Sequence, residues 1–268
     1  MNKVDYWFLD TAIGIPISFD WIIPYEEYEI YDLARTPFDL TTKQIVEVMD
    51  RLFQDELILA ITHQDLHSLN IPLIENLLTK GFRPSFVEIE AELERKENLF
   101  GFDLSPKIEQ DLYYFLTPKG GELWESVSHP KWEQYFHRGH PIESLPKHYF
   151  RESNDNTTNC VLWCTNREIG TKFVEIEEFL EAPASEYNFS CINNSQIWEK
   201  ITPWHPTYWK TLSSGYVVTY QVQRTKIEGN IESSQENKEL VEKREQAKLW
   251  YRTITKWYTS YYQRNEYL

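Results

Sequence analysis

No apolar run in the chain is longer than five residues. Leu57–Ile61 and Cys160–Cys164 reach that length, where a membrane-spanning helix needs about 20. Cysteine is scarce. Cys160, Cys164 and Cys191 are an odd, small set in 268 residues, which is no disulfide framework and makes the cytoplasm the default compartment. The opening MNKVDYWFLDTAIG does not read as a secretory signal, because Asp5 and Asp10 interrupt any apolar core. Glycine is scarce as well, with 9 residues. GxxxxGK[ST], GxGxxG and EF-hand loops are all missing, so little material exists for a phosphate cradle, and no cofactor is expected. Positive charge is in deficit: 27 Lys and Arg stand against 42 Asp and Glu, a formal net charge of −15. A field of that sign repels nucleic acid. What is present is apolar and aromatic. The apolar fraction is 41%, with 10 Trp, 17 Tyr and 14 Phe, which excludes a disordered chain.

The negative charge is unevenly placed. Residues 1–136 carry 11 Lys and Arg against 25 Asp and Glu, while residues 137–268 carry 16 against 17. Between the halves, His137–Asn159 contains Gly139, Pro141, Pro146 and the polar run ESNDNTTN, a loop-like composition. The expected organisation is therefore a first domain over 1–136, a junction over 137–158 and a second domain over 159–268.

In the first half the periodicity of Thr41–Ile61 predicts a helix with Ile45, Val48, Met49, Leu52 and Phe53 on one stripe. Thr41 or Thr42 caps it, and it stops near Gln54–Glu56. Leu57–Ile61 then reads as a buried strand. Tyr113–Leu116 reads as another strand, followed by a helix that Thr117 caps and Pro118 opens. Gly120 and Gly121 weaken that helix, so a close backbone approach is expected there. Helix, strand, then a strand running into YYFLTPKGGELWE is an order that resembles winged helix-turn-helix domains, over roughly residues 1–136. The resemblance implies earlier helices in Val4–Ala12 and within Ser18–Tyr31, and DNA binding in many relatives. One departure is large. Thr62–Gln110 separates the two wing strands, and so long a loop is uncommon without structure, so helices are expected near Leu73–Thr79 and Ser85–Glu97. The helix in the position of a DNA reader, Thr42–Glu56, carries Lys43 and Arg51 against Glu47, Asp50, Asp55 and Glu56. Reading a groove needs Arg, Lys, Asn or Gln on bases and phosphates, so this helix is expected to be structural.

In the second half Asn159–Thr165 reads as a strand with Cys160, Leu162 and Cys164 on one face. Ile169–Leu180 reads as a helix with Phe173, Ile176 and Leu180 inward. Asn188–Ile192 and Gly215–Gln223 read as strands, and Glu236–Tyr262 as a long terminal helix. The expected fold class is α+β: a winged-helix-like first domain with a helical insertion, then a small α+β domain ending in a long helix.

Motifs of known chemistry are weak. His129, His137, His140 and His148 cluster among prolines without zinc-site spacing, and His63 and His67 share a helix face without a third ligand. No metal is expected. Cys160 and Cys164 are three residues apart among apolar neighbours and read as small hydrophobes. Ser128-His-Pro-Lys131 matches S-x-x-K by letters alone. The acidic runs Glu88–Glu97 and Glu175–Glu181 read as solvated helix faces. Trp198–Trp209 (WEKITPWHPTYW) reads either as a proline-fixed loop closing the core edge or as an interaction surface, since Trp and Tyr dominate hot spots. The terminal helix interleaves Lys248, Arg252 and Lys256 with Trp250, Tyr251 and Trp257, and its aromatic stripe is expected to dock on the second domain. The candidate interaction residues are therefore Trp204, Tyr208, Trp209, Lys248, Arg252 and Lys256; no catalytic residue stands out.

The leading expectation is an acidic, non-enzymatic adaptor or interaction module that binds a basic protein partner, with neutralisation of a toxin as one concrete version. The alternative is a DNA-binding transcriptional regulator that uses the basic terminal helix and dimerises through the first half. An enzyme stays open, because catalytic groups distant in sequence can converge.

Overall fold

The computed structural model of the protein describes residues 1–22, 40–99, 109–139, 157–180, 187–191, 195–226 and 238–259. The fold is mixed α+β, with two antiparallel sheets. Two compact units divide the chain: Met1–His129 together with Thr207–Lys210, and Pro130–Pro206 together with Thr211–Thr259.

The first unit opens with helix α1 (Lys3–Thr11), started by a capping box between Asn2 and Asp5. The short strand β1 (Ile17–Ser18) and a 3-10 turn (Phe19–Ile22) follow. Of the second helix expected within Ser18–Tyr31, residues 23–31 lie outside the described residues. Helix α2 (Thr42–Gln54) begins with reciprocal Thr41 and Gln44 cap bonds. It buries Ile45, Val46, Met49, Leu52 and Phe53. Val46 thus takes the inward place expected of Val48, which is half-buried. The chain leaves α2 through Glu56 in the left-handed region, φ 57°, and enters strand β2 (Ile58–Thr62).

Strand β3 (Leu112–Leu116) lies between β1 and β2, and every one of its residues is buried. Its register puts Ala60 opposite Tyr114 and Ile17 opposite the same residue. The stretch between β2 and β3 carries three helices: α3 (His63–Ser68), α4 (Ile74–Lys80) and α5 (Phe86–Leu99). The first of these is the turn on which His63 and His67 share a face; Thr62 caps it by accepting from the Asp65 N–H at 3.1 Å. Ser85 and Glu88 form the expected cap of α5. Helix α6 (Pro118–Ser128) starts at Thr117, whose hydroxyl accepts from the Gly120 N–H at 3.1 Å. A Cβ on Gly120 would lie 2.0 Å from the Leu57 carbonyl oxygen, and one on Gly121 2.4 Å from the Trp209 ring. These are the close approaches the two glycines signal.

One reading of the insertion is corrected. Glu92 is buried rather than solvated. Arg95 donates to Glu92 and, at 2.6 Å, to Asp111. Lys96 bridges Asp111 at 2.8 Å and Asp20 at 2.7 Å, and Glu92 accepts from the Leu112 N–H at 3.1 Å. Burial opposes the charge on Asp111, but Lys96 and Arg95 outweigh it and hold the carboxyl below its ordinary range. Burial likewise works against the Lys96 ammonium, and the two carboxylates still leave its pKa raised. The network fastens α5 to the start of β3 and to the 3-10 turn.

The second unit is built on a sheet of order β4–β5–β8–β6, with β7 also paired to β8. Its strands are β4 (Phe136–Arg138), β5 (Thr157–Cys164), β6 (Tyr187–Cys191), β7 (Ile197–Ile201) and β8 (Gly215–Lys226). His137 and Arg138 of β4, and Thr157 and Thr158 of β5, fall in the stretch read from sequence as a junction. Cys160, Leu162 and Cys164 face inward as the period of two requires. Helix α7 (Arg167–Leu180) packs Phe173 and Val174 into one cluster with Cys160 and Leu162 and also buries Ile176, and α8 (Lys238–Ile254) packs beside α7. Glu177, read as part of a solvated run, is also buried, and Arg138 pairs with it at 2.8 Å.

The terminal helix is shorter than expected and stops at Ile254 instead of continuing through Thr259. Thr253, Ile254 and Thr255 are weak helix formers. Beyond them Trp257 turns onto Trp132 and Tyr135, 4.8 Å from each ring, and its carbonyl accepts from the Lys131 N–H at 2.6 Å.

Candidate functional site

The three aromatic candidates are interior. In the first unit Tyr208 is fully buried. Its hydroxyl donates to the Ala12 carbonyl at 2.9 Å and accepts from the Leu116 N–H at 2.6 Å. Trp209 donates to the Ile13 carbonyl at 2.9 Å and meets Trp124 edge-on at 6.0 Å. In the second unit Trp204 is buried beside Gly215 and Tyr135. Of the two roles left open for this motif, these side chains occupy the core one. A hot spot needs surface that a partner can cover, and they offer none.

Two of the three basic candidates come together. Lys248 and Arg252 line a cleft of about 540 Å³ between β4, α7 and α8. Lys256 is exposed beyond the end of the helix and is not on that lining. The cleft's other polar groups are His137, Arg138, Glu177 and Thr255. Arg138 is held by Glu177, and Lys248 shares an exposed pair with Glu245 at 3.1 Å. Sequence reasoning missed Phe136, Arg138 and Glu177, because β4 has only three residues and no alternation to announce it.

The first unit presents a different surface. Lys43, Glu47 and Gln54 are exposed on α2, and Asp55 and Glu56 are exposed just past its end. Arg51, a base that could have met phosphate, forks instead onto the buried carboxylate of Asp5. That bond holds the Arg51 guanidinium firmly charged against some loss of solvation. The neighbouring α5 exposes Glu88, Glu94 and Val87. Between α4 and α5, Leu78 (40% exposed), Phe82 (36%), Phe86 (36%) and Val87 (68%) lie within ten residues of one another.

Burial pushes the Cys164 thiol up to about 12, far from the thiolate that nucleophilic catalysis uses. Cys160 is buried as well. His63 stacks on Tyr113, with His67 4.1 Å away between ring centres. Among the described residues no group of three or more His, Cys, Asp or Glu could hold a metal ion. His140 and His148 lie outside the described residues. Among the described residues no helix is long and apolar enough to cross a membrane.

No family model, curated protein or solved structure matches the chain.

Proposed function

We propose that the protein is a non-catalytic interaction module whose acidic first unit, a winged-helix-like domain, binds a basic protein partner. The observation that carries this reading is α2 with the turn that leaves it: over residues 42–56 the exposed charges are Glu47, Asp55 and Glu56 against Lys43, and Arg51 is engaged by Asp5. The strand order β1–β3–β2, with α2 leading into β2, supports the winged-helix layout. In that layout α2 takes the position of the groove-reading helix. The acids that follow its last turn, Asp55 and Glu56, turn the layout from phosphate toward cationic protein surfaces, and fold alone does not fix function. Charge steers encounter more than it holds a complex. The exposed Leu78, Phe82, Phe86 and Val87 supply apolar area for holding. Neutralising a basic effector such as a toxin is the concrete form this reading takes, at a cytoplasmic location.

The competing reading, a DNA-binding regulator working through the terminal helix, has less support. Glu242 and Glu245 stand among that helix's bases, Lys248 is shared with Glu245, and the helix ends before Lys256. Affinity capture from the native cell separates the two. The wild-type chain is compared with a variant combining Glu47→Lys, Asp55→Lys and Glu56→Lys. The expected result is a basic protein retained by the wild type, released by salt and lost by the variant. Capture of nucleic acid instead, or equal retention by the variant, overturns the proposal.

A further inference from the structure

The cleft of the second unit has no part in that reading, and its chemistry points elsewhere. Its walls are aromatic: Phe136 and Phe173 sit 5.1 Å apart, and Tyr251 lies 6.2 Å from each. Trp257 lines it as well. Such rings offer flat faces on which a planar ligand stacks whatever its substituents. Its charges are cationic in sum. Glu177 is the one acid on the described lining, and Arg138 neutralises it at 2.8 Å. That leaves Lys248 and Arg252, four residues apart on α8 and so on one face, one turn from each other. Among the described residues Arg252 makes no ion pair. The exposed pair of Lys248 with Glu245 is of a kind that holds weakly in water, so the ammonium can be recruited. Two cations one turn apart match a dianion better than a single carboxylate, and a guanidinium fork fits phosphate oxygens. The volume, about 540 Å³, lies inside the range of roughly 300–1,000 Å³ typical of small-ligand sites.

We infer that this cleft binds a small aromatic phosphate ester of nucleoside-monophosphate size, its ring between the aromatic walls and its phosphate on Lys248 and Arg252. This binding neither requires nor excludes a basic protein partner for the first unit. Calorimetric titration of the full chain tests it, with AMP, UMP, adenosine and inorganic phosphate as separate probes. At least one monophosphate is expected to bind with Kd below about 1 mM, while adenosine and inorganic phosphate bind at least about tenfold more weakly. Arg252→Glu is expected to weaken the monophosphate by about tenfold or more. Its melting temperature should stay that of the wild type, since Arg252 is exposed. Tyr251→Ala should weaken the monophosphate and leave the already weak binding of inorganic phosphate unchanged. The inference is overturned by any of three results: no monophosphate bound below about 1 mM, inorganic phosphate bound as tightly as the ester, or affinity unchanged by Arg252→Glu. Tighter binding of a duplex DNA than of the mononucleotides also overturns it.

Discussion

The two units bury charge in different ways. The first, which carries the chain's excess of acid, hides Glu92, Asp111 and Lys96 in one network completed by Arg95 and Asp20. The second, nearly balanced in charge, buries Glu177 against a half-open Arg138 whose side chain is 38% exposed at the edge of an aromatic cleft. In the first unit the interior carboxylates engage Lys96 and Arg95, and Asp5 engages Arg51. Bases are thereby drawn inward while Glu47 on α2, and Asp55 and Glu56 just past it, remain exposed. In the second unit the interior acid holds one base, and others stay at the cleft. A net charge read from sequence says how much charge there is; which sign is left for a partner depends on what the interior has already paired.

The strongest way to break this contrast is to remove a cation from each network. Lys96→Met leaves Asp20 and Asp111 facing one another without their shared cation. It is expected to destabilise the first unit by about 3–5 kcal/mol in urea unfolding. Arg138→Met should cost less, because its guanidinium is partly solvated and water can replace it. If Arg138→Met proves the costlier change, the contrast between the units fails.

Comparable in size is the effect expected in the segment Thr207–Lys210, which the first unit draws from late in the chain. Trp209→Ala removes a ring packed on Gly121 and Trp124 and should cost about 3–5 kcal/mol. Tyr208→Phe keeps the ring and strips the partner from the Leu116 N–H and the Ala12 carbonyl, a loss of about 1–3 kcal/mol. Surface aromatics would cost almost nothing, so denaturant midpoints decide directly between a core and a surface role.

How much of this was legible depends on how far the deciding partner lies along the chain. Helix starts were legible because their signals are local: Thr41 with Gln44, Ser85 with Glu88, and Thr117 ahead of Pro118. Strands with many apolar residues, such as β3 and β5, were legible for the same reason. Glu92 and Glu177 were not, since a carboxylate in an acidic helical run looks solvated until Asp111 with Arg95, or Arg138, is brought to it. Nor were Tyr208 and Trp209, whose acceptors at Ala12 and Ile13 are 196 residues away. Strand β7 escaped because its residues are exposed or half-buried. Half of the candidate cleft was visible in Lys248 and Arg252, and the other half waited on β4.

A smaller effect should separate the units by pH. The Asp111 carboxyl is held below its ordinary value of 3.8. Its folded value is therefore lower than its unfolded one. The stability it contributes is complete above the unfolded value and is lost as pH falls through the folded one. Urea midpoints measured from about pH 6 down to pH 2 should fall steeply for the first unit, and Asp111→Asn should flatten that fall while lowering the midpoint at neutral pH. An unchanged slope in the variant would place the acid sensitivity elsewhere.

The smallest effect expected on stability accompanies the largest on binding. Glu47→Lys, Asp55→Lys and Glu56→Lys alter exposed positions and should shift stability by no more than about 0.5 kcal/mol each. The most direct test of the account is therefore the salt-dependent retention of a basic protein by the wild type and by this triple variant at equal folded concentration. Retention by the wild type alone, weakening as salt rises, is the result predicted; equal retention by both, or retention of nucleic acid in place of protein, would contradict it.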